Sequence, residues 1–437
     1  MRYRVPWRAI WHQVRRGRAA NVGRVPPQFQ APAGTFDVLP PASARYAGVV
    51  ARFAGLADRA GYGLVLGPMF EDAAVFRRLG ESTDVVRKEM YEFDDKDGRR
   101  LALRPDGTAP VVRAFLQHSP PTPWKVWYTT PKFRYERPQA LRYRQHHEVG
   151  AEALGSDDPD LDVEVIALAW SLYRDLGLRR IALRLTSLGD AACRPAYRAE
   201  LLAHLAHRRD RLCDEHRDRI EENPLRVLDC KREACVTATA DAPRMVDRLC
   251  DACRAHFDRV TEGLDALHIA YRLDPTLVRG LDYYTRTTFE FCAEALESAQ
   301  NGAGGGGRYD GLAEALGGDP TPGIGFGLGI ERVLGACDAE GVFPVPPRTT
   351  SVFVIDTTGG AAARDLTAEL RAAGVAADRA FGQRSWKAQM KLALRSGAAL
   401  AVSVEAGGTT LRTLQEKGEP EPLDRADVVA RVTKRLA

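Results

Sequence analysis

In the first third of this 437-residue chain, several strand-like segments follow one long helix without further helices between them. Apolar residues recur at helical spacing from Pro41 to Ala60, and Gly61 and Gly63 end that pattern. An uninterrupted run of strands favours an antiparallel sheet with helices packed on it, an α+β fold, over a regular βαβ alternation. The strand-like segments are Gly63–Phe70, the hairpin pair Tyr91–Phe93 and Arg100–Leu103, and the pair Trp124–Tyr128 and Lys132–Tyr135.

Changes in pattern divide the chain into four parts. Residues 1–30 contain seven arginines and no acidic residue, so we expect a disordered basic extension, with a transit peptide or an RNA-contacting arm as alternatives. Residues 31–342 form the expected main domain, with a mostly helical insertion at about 188–270. A proline-rich linker at 343–350 leads to residues 351–437, where alternating strands and helices predict a small α/β domain.

Bulk composition narrows the class of protein only slightly. No apolar run is long enough to cross a bilayer, so we expect no membrane partner. A net charge of +4 is a weak indication of nucleic-acid binding. Eight cysteines without a secretion signal predict a cytoplasmic protein that lacks structural disulfides.

Cationic and aromatic side chains are concentrated between Lys132 and Arg144, and acidic residues lie among and after them. Arginines fixed on strands suit phosphate oxygens, the aromatic rings can stack on a base, and the carboxylates suit an ammonium or imidazolium group. The alternative is a solvated ladder of salt bridges on a strand pair. The residues are Lys132, Arg134, Arg137, Arg142 and Arg144, with Tyr135, Tyr143, Glu136, Glu148 and Glu152.

Three later segments are rich in tyrosine or glycine. The segment 277–290, LVRGLDYYTRTTFE, can build a small polar pocket with an aromatic wall, although tyrosine and threonine are also common in ordinary strands. The segments Gly302–Gly311 and Gly323–Arg332 allow a close approach of backbone to a ligand, but each alone can equally reflect tight strand packing. Neither fits a Walker or a Rossmann motif. Together with the arginines, they favour a nucleotide-phosphate site.

A protein nucleophile is not indicated. The sequence contains no Gly-x-Ser-x-Gly elbow. His146 and His147 are adjacent on an expected strand, so their side chains should point to opposite faces and cannot easily share a metal.

In this order, the segments resemble the motifs of class II aminoacyl-tRNA synthetases and, among them, the histidyl-tRNA synthetase family. GLVLGPMF, with Pro68, resembles motif 1 of the dimer interface, FRYERPQALRYRQ resembles motif 2, and GIGFGLGIER resembles motif 3. LVRGLDYYTRTTFE and GGGGRYDGL resemble two signatures of the histidyl branch. The resemblance covers about residues 31–437. It implies a class II antiparallel sheet flanked by helices, a helical insertion and a C-terminal α/β anticodon-binding domain.

The resemblance also implies roles for individual residues. Arg279 and Arg134 would be the catalytic cations. The implied ATP-binding residues are Arg134, Tyr143, Arg332 and Glu136. The implied histidine-binding residues are Asp106, Thr108, Glu148, Glu152, Tyr283, Tyr284 and Arg279. Arg137, Gln139 and Arg142 would contact the acceptor end of the tRNA. L-histidine, ATP with Mg²⁺, tRNA(His) and a second copy of the chain are the implied partners.

Three departures from the family pattern stand out. Asp106 occupies a position where bacterial members usually have glutamate, and Glu148 one where glutamine is usual. Both positions stay acidic or polar, so we expect the choice of histidine to survive. The segment VSVEAGGTTLRTL in the C-terminal domain is shorter than usual and lacks a Gly-Glu-x-Glu sequence. The resemblance therefore does not define the anticodon contacts of this segment.

A second function has to be weighed beside the ligase. Some relatives of the family are histidine-binding regulatory subunits of ATP phosphoribosyltransferase, which do not charge tRNA. Such a subunit is expected to lose the LVRGLDYY arginine signature and often the C-terminal domain, and both are present here.

Four cysteines form two closely spaced pairs in the helical insertion: Cys230 with Cys235, and Cys250 with Cys253. Two such pairs can build one tetrahedral zinc site. The alternative is unpaired cysteine packed between helices.

Overall fold

The structure, a computed structural model, describes residues 29–78, 85–278, 283–296, 301–346, 350–382, 384–414 and 419–436. It consists of two units, Met1–Pro344 and Val345–Ala437. Nearly all of the basic segment 1–30 lies outside the described residues, and so does Arg279. Among the described helices, none combines the length and the apolar character needed to cross a membrane.

In the described part of the first unit there are eleven strands and eleven helices. The strands are β1 (Gly63–Leu64), β2 (Phe70–Asp72), β3 (Tyr91–Asp94), β4 (Arg100–Leu103), β5 (Trp124–Phe133), β6 (Gln145–Leu154), β7 (Ile181–Ser187), β8 (Tyr271–Leu273), β9 (Thr285–Ala293), β10 (Gly302–Arg308) and β11 (Gly323–Gly329). The helices are α1 (Ser43–Arg59), α2 (Ala73–Arg77), α3 (Thr108–His118), α4 (Pro159–Asp175), α5 (Arg194–Ala206), α6 (Asp214–Arg217), α7 (Leu225–Leu228), α8 (Glu233–Ala238), α9 (Asp251–Ala266), α10 (Leu312–Ala315) and α11 (Ile330–Glu340). Shorter turns of helix lie at Val85–Glu89, Arg209–Arg211 and Met245–Arg248.

An eight-stranded sheet forms the centre of this unit, in the order β1-β5-β6-β11-β10-β9-β7-β8. Neighbouring strands from β5 to β7 are antiparallel, while β1 and β8 add to the two edges in parallel. A second, three-stranded sheet has the order β2-β4-β3. The predicted antiparallel sheet with flanking helices is therefore confirmed, with parallel strands at its edges.

Two of the strand predictions were wrong in detail. Trp124–Tyr128 and Lys132–Tyr135 are not a pair, because residues 124–133 form the single strand β5, which pairs along its whole length with β6. The intervening Thr129 and Thr130 favour a strand and supply no turn. The segment Gly63–Phe70 divides between β1 and β2, which belong to different sheets.

One face of the large sheet packs on helices α1, α4 and α11 and forms the main hydrophobic core. In α1, Val49, Phe53 and Ala57 are buried at four-residue intervals, as an amphipathic helix requires. The Phe53 ring lies edge-on to Phe326 of β11, with 5.9 Å between the ring centroids. This apolar face fixes the positions of β6 and β11, which carry functional residues on their other face.

The opposite face of β11 consists of glycines because glutamates of β6 occupy the space that side chains would need. Gly325 pairs with Glu152, and Gly329 pairs with Glu148. A Cβ at Gly325 would lie 1.6 Å from Oε2 of Glu152, and a Cβ at Gly327 would lie 2.4 Å from Cδ of Glu148. The glycine alternation of GIGFGLG therefore clears space for two buried carboxylates rather than providing backbone freedom.

The second unit is built on a five-stranded sheet in the order β13-β12-β14-β15-β16. Its strands are β12 (Val352–Asp356), β13 (Ala377–Arg379), β14 (Leu400–Glu405), β15 (Gly408–Thr413) and β16 (Glu421–Leu423), and its helices are α12 (Ala361–Ala372), α13 (Trp386–Ser396) and α14 (Val428–Leu436). Strand β12 runs parallel to β13 and β14, and the remaining pairs are antiparallel. The small α/β fold expected for residues 351–437 is thus present.

We predict that Gly325→Ala destabilises the protein by about 1–3 kcal/mol, the usual cost of overpacking a filled interior. The thermal unfolding midpoint of the variant, measured by circular dichroism, checks this. Gly329→Ala is the matched control, because open space surrounds its Cβ position, and it should stay within about 0.5 kcal/mol of the parent. Equal midpoints for the two variants would contradict the steric argument.

Candidate active site

A buried glutamate lies at the centre of the glycine-lined face. Glu152 is inaccessible to solvent. Its Oε1 accepts hydrogen bonds from the Thr108 hydroxyl at 2.8 Å and the Tyr128 hydroxyl at 3.3 Å, and its Oε2 accepts one from the Tyr309 hydroxyl at 2.6 Å. Burial raises the pKa of Glu152 to about 8, although the bonds from Tyr309 and Thr108 act in the opposite direction.

A second glutamate on the same face forms a buried ion pair. The Lys132 ammonium lies 2.5 Å from Oε1 of Glu148 and 3.8 Å from Oδ1 of Asp106. The Tyr128 hydroxyl donates to Glu148 as well, at 3.2 Å. Tyr128 thus joins both glutamates, and its side chain fills the space that a Cβ at Gly150 would need.

Asp106 has a structural role that its position in the sequence did not reveal. Its Oδ2 accepts hydrogen bonds from the backbone N–H groups of Thr108 and Ala109, at 3.0 and 3.1 Å. These are among the unpaired donors at the start of α3, so Asp106 caps this helix. The cap directs the other oxygen, Oδ1, toward Lys132. The short aspartate side chain can therefore cap the helix and contact the ion pair at once.

Three arginines converge at the carboxyl end of the glycine strand β11. The Arg332 guanidinium donates to the carbonyl oxygens of Gly302 at 2.7 Å and Leu141 at 3.3 Å, and Nε of Arg134 donates to Pro105 at 2.9 Å. Burial, followed by the charges of Arg142 and Arg134, lowers the pKa of Arg332. Main-chain oxygens hold the guanidinium groups of Arg332 and Arg134, while Arg142 pairs with Glu136. The corner therefore favours an anionic ligand.

The segment between β5 and β6 folds as a tight hairpin. Gln139 and Arg142 form an isolated bridge, and Leu141 adopts a left-handed conformation with a φ of 57°. Arg142 forms an ion pair with Glu136, whereas Arg137 is exposed. Apart from Arg332 on α11, the residues expected to contact ATP and the tRNA acceptor end therefore lie on one short loop.

His146 and His147 have different surroundings, as the strand geometry predicted. Burial and the charges of Arg134, Lys132 and Arg332 hold the pKa of His146 well below its usual value, so His146 lies on the arginine side. Nδ1 of His147 lies 2.8 Å from Oε1 of Glu331, and its backbone N–H donates to the same carboxylate. Glu331 of the motif 3-like segment thus anchors β6 to the start of α11.

Tyr143 lies on the Glu331 side of this hairpin. It is 2% exposed, and its ring lies 4.5 Å from that of Phe36 in the lead-in segment. Burial raises the pKa of Tyr143 to about 12.

The tyrosines of the 277–290 segment border the Glu152 pocket. The Tyr283 ring lies 4.6 Å from that of Tyr284 and 6.0 Å from that of Tyr309, measured between centroids. Arg286 of the same segment turns away, with a φ of 44°, and its guanidinium lies 3.3 Å from Oδ2 of Asp190 in the insertion. Within the segment 277–290, Arg286 thus contacts the insertion, while Tyr283 and Tyr284 border the pocket.

Sequence reasoning did not single out Tyr128 and Tyr309 as pocket residues. Tyr309 follows Arg308 in the GGGGRYDGL segment, so its position directly after a glycine strand was an available signal. Tyr128 gave no such signal, because aromatic residues are common in ordinary β-strands.

The cysteine prediction requires a correction, because the four cysteines do not meet at one point. Cys230 and Cys235 lie with Cys213 and His216, which we call the His216 group. Cys250 and Cys253 lie with Asp190 and Cys193, which we call the Asp190 group. Spacing along the chain identified the two pairs but not the distant residues that the fold adds to each. The four cysteines therefore do not build the single zinc site that was predicted.

The antiparallel sheet, its glycine strand and the arginine corner define the class II aminoacyl-tRNA synthetase fold. A family model described as histidyl-tRNA synthetase matches residues 34–333. This chain belongs to that family.

Individual relatives agree over nearly the full length. The chain is 50% identical to the histidine–tRNA ligase of Mycolicibacterium vanbaalenii, over 94% of this chain and 99% of the relative, and 44% identical to that of Dehalococcoides mccartyi, over 91% and 98%. The crystal structure of apo histidyl-tRNA synthetase from Staphylococcus aureus is similar with a TM-score of 0.78 and 33% identity, covering 92% of this chain and 99% of that one.

A further solved structure bears on the alternative function. An ATP phosphoribosyltransferase regulatory subunit/histidyl-tRNA synthetase from Bacillus halodurans has a TM-score of 0.60 at 20% identity, covering 81% of this chain and 93% of that one. At this identity the likeness concerns the fold alone.

The raised pKa of Glu152 predicts a specific pH dependence of stability. The folded protein keeps the proton up to about pH 8, whereas an unfolded glutamate loses it near about pH 4.3. Between these values the folded state binds more protons, so the free energy of unfolding should fall as the pH rises. Glu152→Gln cannot lose a proton, and its stability relative to the parent should therefore increase from about pH 5 to about pH 8.

Thermal unfolding midpoints of the parent and the variant across this pH range provide the measurement. Exposed Glu314 supplies the control, and Glu314→Gln should follow the parent at every pH. A constant difference between the parent and Glu152→Gln would show that Glu152 is not held protonated.

Proposed function

We propose that this chain activates L-histidine with ATP to form histidyl-adenylate and transfers the histidine to the 3′ end of tRNA(His). The observation that carries the proposal is the juxtaposition of two environments on one sheet face. A buried carboxylate pocket around Glu152 and Glu148 suits a cationic or N–H-rich amino acid. The corner of Arg134 and Arg332 beside it suits phosphate oxygens.

In the first step, the carboxylate of histidine attacks the α-phosphorus of ATP, and pyrophosphate leaves. Arg134 holds the α-phosphate and Arg332 the γ-phosphate, while Arg279 contacts the histidine carboxylate and the α-phosphate. Fixed cations lower the barrier because they stabilise charge that develops in the in-line transition state. Positioning and electrostatics carry this step without a protein nucleophile.

Mg²⁺ neutralises phosphate charge when it is bound together with ATP. Oxygen ligands suit this ion, and the Glu290 carboxylate lies at the arginine corner, since both it and Arg332 are within 3.5 Å of the Cβ position of Gly302. Glu136 and Tyr143 complete the ATP-binding residues. In the second step the terminal ribose hydroxyl of the tRNA attacks the carbonyl carbon of the adenylate, the bond between that carbon and the phosphate oxygen breaks, and AMP leaves. Arg137, Gln139 and Arg142 contact the acceptor end.

Selectivity for histidine rests on paired polar groups in the pocket. Thr108, Tyr283, Tyr284, Glu148 and Glu152 line it, with Asp106 acting from the cap of α3. An apolar amino acid would leave these buried groups without partners, which is a strong basis for rejection. The charge of Glu148, where glutamine is usual, is offset by Lys132 at 2.5 Å, which supports an unchanged choice of amino acid.

The regulatory-subunit alternative is less well supported. It requires histidine binding but no phosphate-binding arginines. Arg134 and Arg332 are present and held in place by backbone oxygens, and Arg279 is present in the sequence.

Histidine should drive ATP–pyrophosphate exchange by this protein at saturating ATP and Mg²⁺. Other amino acids, with phenylalanine as the apolar test case, should give no exchange above background. Histidine binding without exchange would favour the regulatory subunit, and exchange with another amino acid would overturn the assignment of the pocket.

Two variants test the role of Arg279 in this exchange assay. Arg279→Ala should lower kcat by about 10²-fold or more, by analogy with the loss of one transition-state donor, while its thermal midpoint is retained. Arg144 is the matched control. Its guanidinium lies 3.9 Å from the Tyr135 ring centroid, and this contact explains the position of the side chain. Arg144→Lys should keep most of the activity, and equal activity of both variants would refute the role of Arg279.

A homodimer is the proposed assembly. The motif 1-like segment carries a continuous exposed apolar surface beside the edge strand β1: Leu64 is 52% exposed, Leu66 78%, Met69 52% and Phe70 51%. Patches of this kind on a sheet edge usually mark a protein–protein interface.

Replacement of Leu66 by glutamate should therefore convert a dimer into monomers, because it introduces a charge into the apolar patch. Sedimentation analysis at several protein concentrations gives the oligomeric state. The control is Leu273→Glu, since Leu273 is 61% exposed on β8 at the opposite edge of the sheet. A parent protein that is monomeric at micromolar concentration would contradict the dimer.

The second unit is proposed to bind the anticodon. Its loop before α13 presents Phe381, 65% exposed, with the Arg379 guanidinium 4.5 Å from the ring centroid. Such a pair suits stacking on an unpaired base. The segment VSVEAGGTTLRTL, which is shorter than usual for the family, forms a tight hairpin in which Glu405 pairs directly with Gly408. We also propose a cytoplasmic location, which is typical of the family to which the chain belongs.

A further inference from the structure

We infer that the helical insertion binds two structural zinc ions, one in the His216 group and one in the Asp190 group. In each group, four possible ligand atoms lie within 4.8 Å of one another. Three of the four ligands in each group are cysteines, and soft thiolates with one nitrogen or oxygen ligand in a tetrahedral arrangement favour zinc over harder divalent ions. The two groups use six of the eight cysteines of the chain.

The distances in the His216 group match a tetrahedron around zinc. Nδ1 of His216 lies 3.1 Å from Sγ of Cys213 and 3.8 Å from Sγ of Cys235. Zinc bonds of about 2.3 Å to sulfur and about 2.0 Å to nitrogen give a tetrahedral edge of about 3.5 Å. The backbone N–H of Cys213 donates to Sγ of Cys235 at 3.4 Å, which helps to orient a thiolate ligand.

The Asp190 group has similar dimensions. Sγ of Cys193 lies 3.9 Å from Sγ of Cys253 and 3.6 Å from Oδ1 of Asp190, and Sγ of Cys250 lies 4.0 Å from the same oxygen. Two sulfurs bound to one zinc are separated by about 3.8 Å in a tetrahedron, far more than the sulfurs of a disulfide. The arrangement therefore matches shared coordination rather than a covalent bond.

The surroundings of the Asp190 group favour negatively charged ligands. Cys193 and Cys250 are the residues that directly precede α5 and α9, so both thiols lie at the positive ends of long helices. Arg286 contacts Oδ2 of Asp190 and leaves Oδ1 directed toward the sulfurs. These features stabilise the anionic ligands that zinc requires.

Zinc would also cross-link short elements of the insertion. Its helices α6, α7 and α8 have only four to six residues each, which is too short for independent stability. The His216 group joins the start of α6 to the segment containing Cys230 and to α8. The Asp190 group joins the loop after β7 to the start of α9. Structural zinc contributes its binding energy directly to the folding of such segments.

The Asp190 group is also connected to the proposed histidine pocket. The backbone of Arg286 exchanges hydrogen bonds with Leu188 and Gly189, both at 2.8 Å, and the Arg194 guanidinium donates to the carbonyl oxygen of Tyr284 at 2.9 Å. Loss of zinc here should disturb Tyr284, whereas loss from the His216 group should not. This link rests on the proposed function, but the zinc content does not.

The test is elemental analysis of full-length protein purified without chelator and dialysed against metal-free buffer. We expect about two zinc ions per chain in the parent, one for each group, and about one in either Cys230→Ser or Cys193→Ser. Cys292→Ser is the matched control, because Cys292 is buried in β9 outside both groups, and it should keep two. Less than about 0.2 zinc per parent chain, or the same content in all four proteins, would overturn the two sites.

If a serine variant precipitates, a measurement on the parent protein still tests whether the two zinc sites exist. Titration of its thiols with a mercurial reagent in the presence of a chromogenic chelator should release about two zinc ions per chain as the six clustered cysteines react. Thiols that react without any release of zinc would contradict the inference.

Histidine-dependent ATP–pyrophosphate exchange distinguishes the effects of the two zinc sites on the histidine pocket. The KM for histidine should rise several-fold in Cys193→Ser and stay near the parent value in Cys230→Ser, with the KM for ATP unchanged in both. An unchanged histidine KM in Cys193→Ser protein that has lost its zinc would refute the link to Tyr284. A parent that holds two zinc ions but shows no exchange would contradict only the proposed function.

Discussion

The carboxylate of Glu152 is the constraint on which the rest of the site depends. It is removed from water, and hydroxyls from α3, β5 and the turn after β10 satisfy its oxygens. A buried carboxylate without such partners would cost several kcal/mol. The glycines of β11 follow from the same requirement, because any side chain at Gly325 would occupy the position of the carboxylate. Glu152 thus accounts for Gly325, and its neighbour Glu148 accounts for Gly327 in the same way.

Glu148 and Glu152 lie four residues apart on one face of β6, yet their environments differ. Glu148 has the Lys132 ammonium at 2.5 Å, while hydroxyl groups surround Glu152 and burial raises its pKa to about 8. Different environments allow two like side chains to perform different tasks. Under the proposed function, a protonated Glu152 can donate to the imidazole nitrogen that lacks a proton, while Glu148, which contacts Lys132, accepts from a donor of the substrate.

Patterns that depend on neighbouring residues could be predicted from the sequence, and patterns that depend on distant contacts could not. Helix α1, the β3–β4 hairpin and the opposite orientation of His146 and His147 follow from local spacing. The unbroken strand β5 was missed because its continuity depends on pairing with β6 along its whole length, which local spacing does not show. The family resemblance assigned Asp106 to the pocket, but its capping of α3 depends on backbone geometry that no spacing shows.

The cysteines and Arg286 show the same limit in a form that concerns function. Spacing linked Cys230 to Cys235 and Cys250 to Cys253, but the partners Cys213 and Cys193 come from segments that only the folded insertion brings near. Arg286 belongs to a segment that resembles a signature of histidine recognition, yet its side chain contacts Asp190 of the insertion. The insertion and the signature strand therefore share an ionic contact, so the insertion has to fold correctly for Tyr284, two residues earlier, to be held in place.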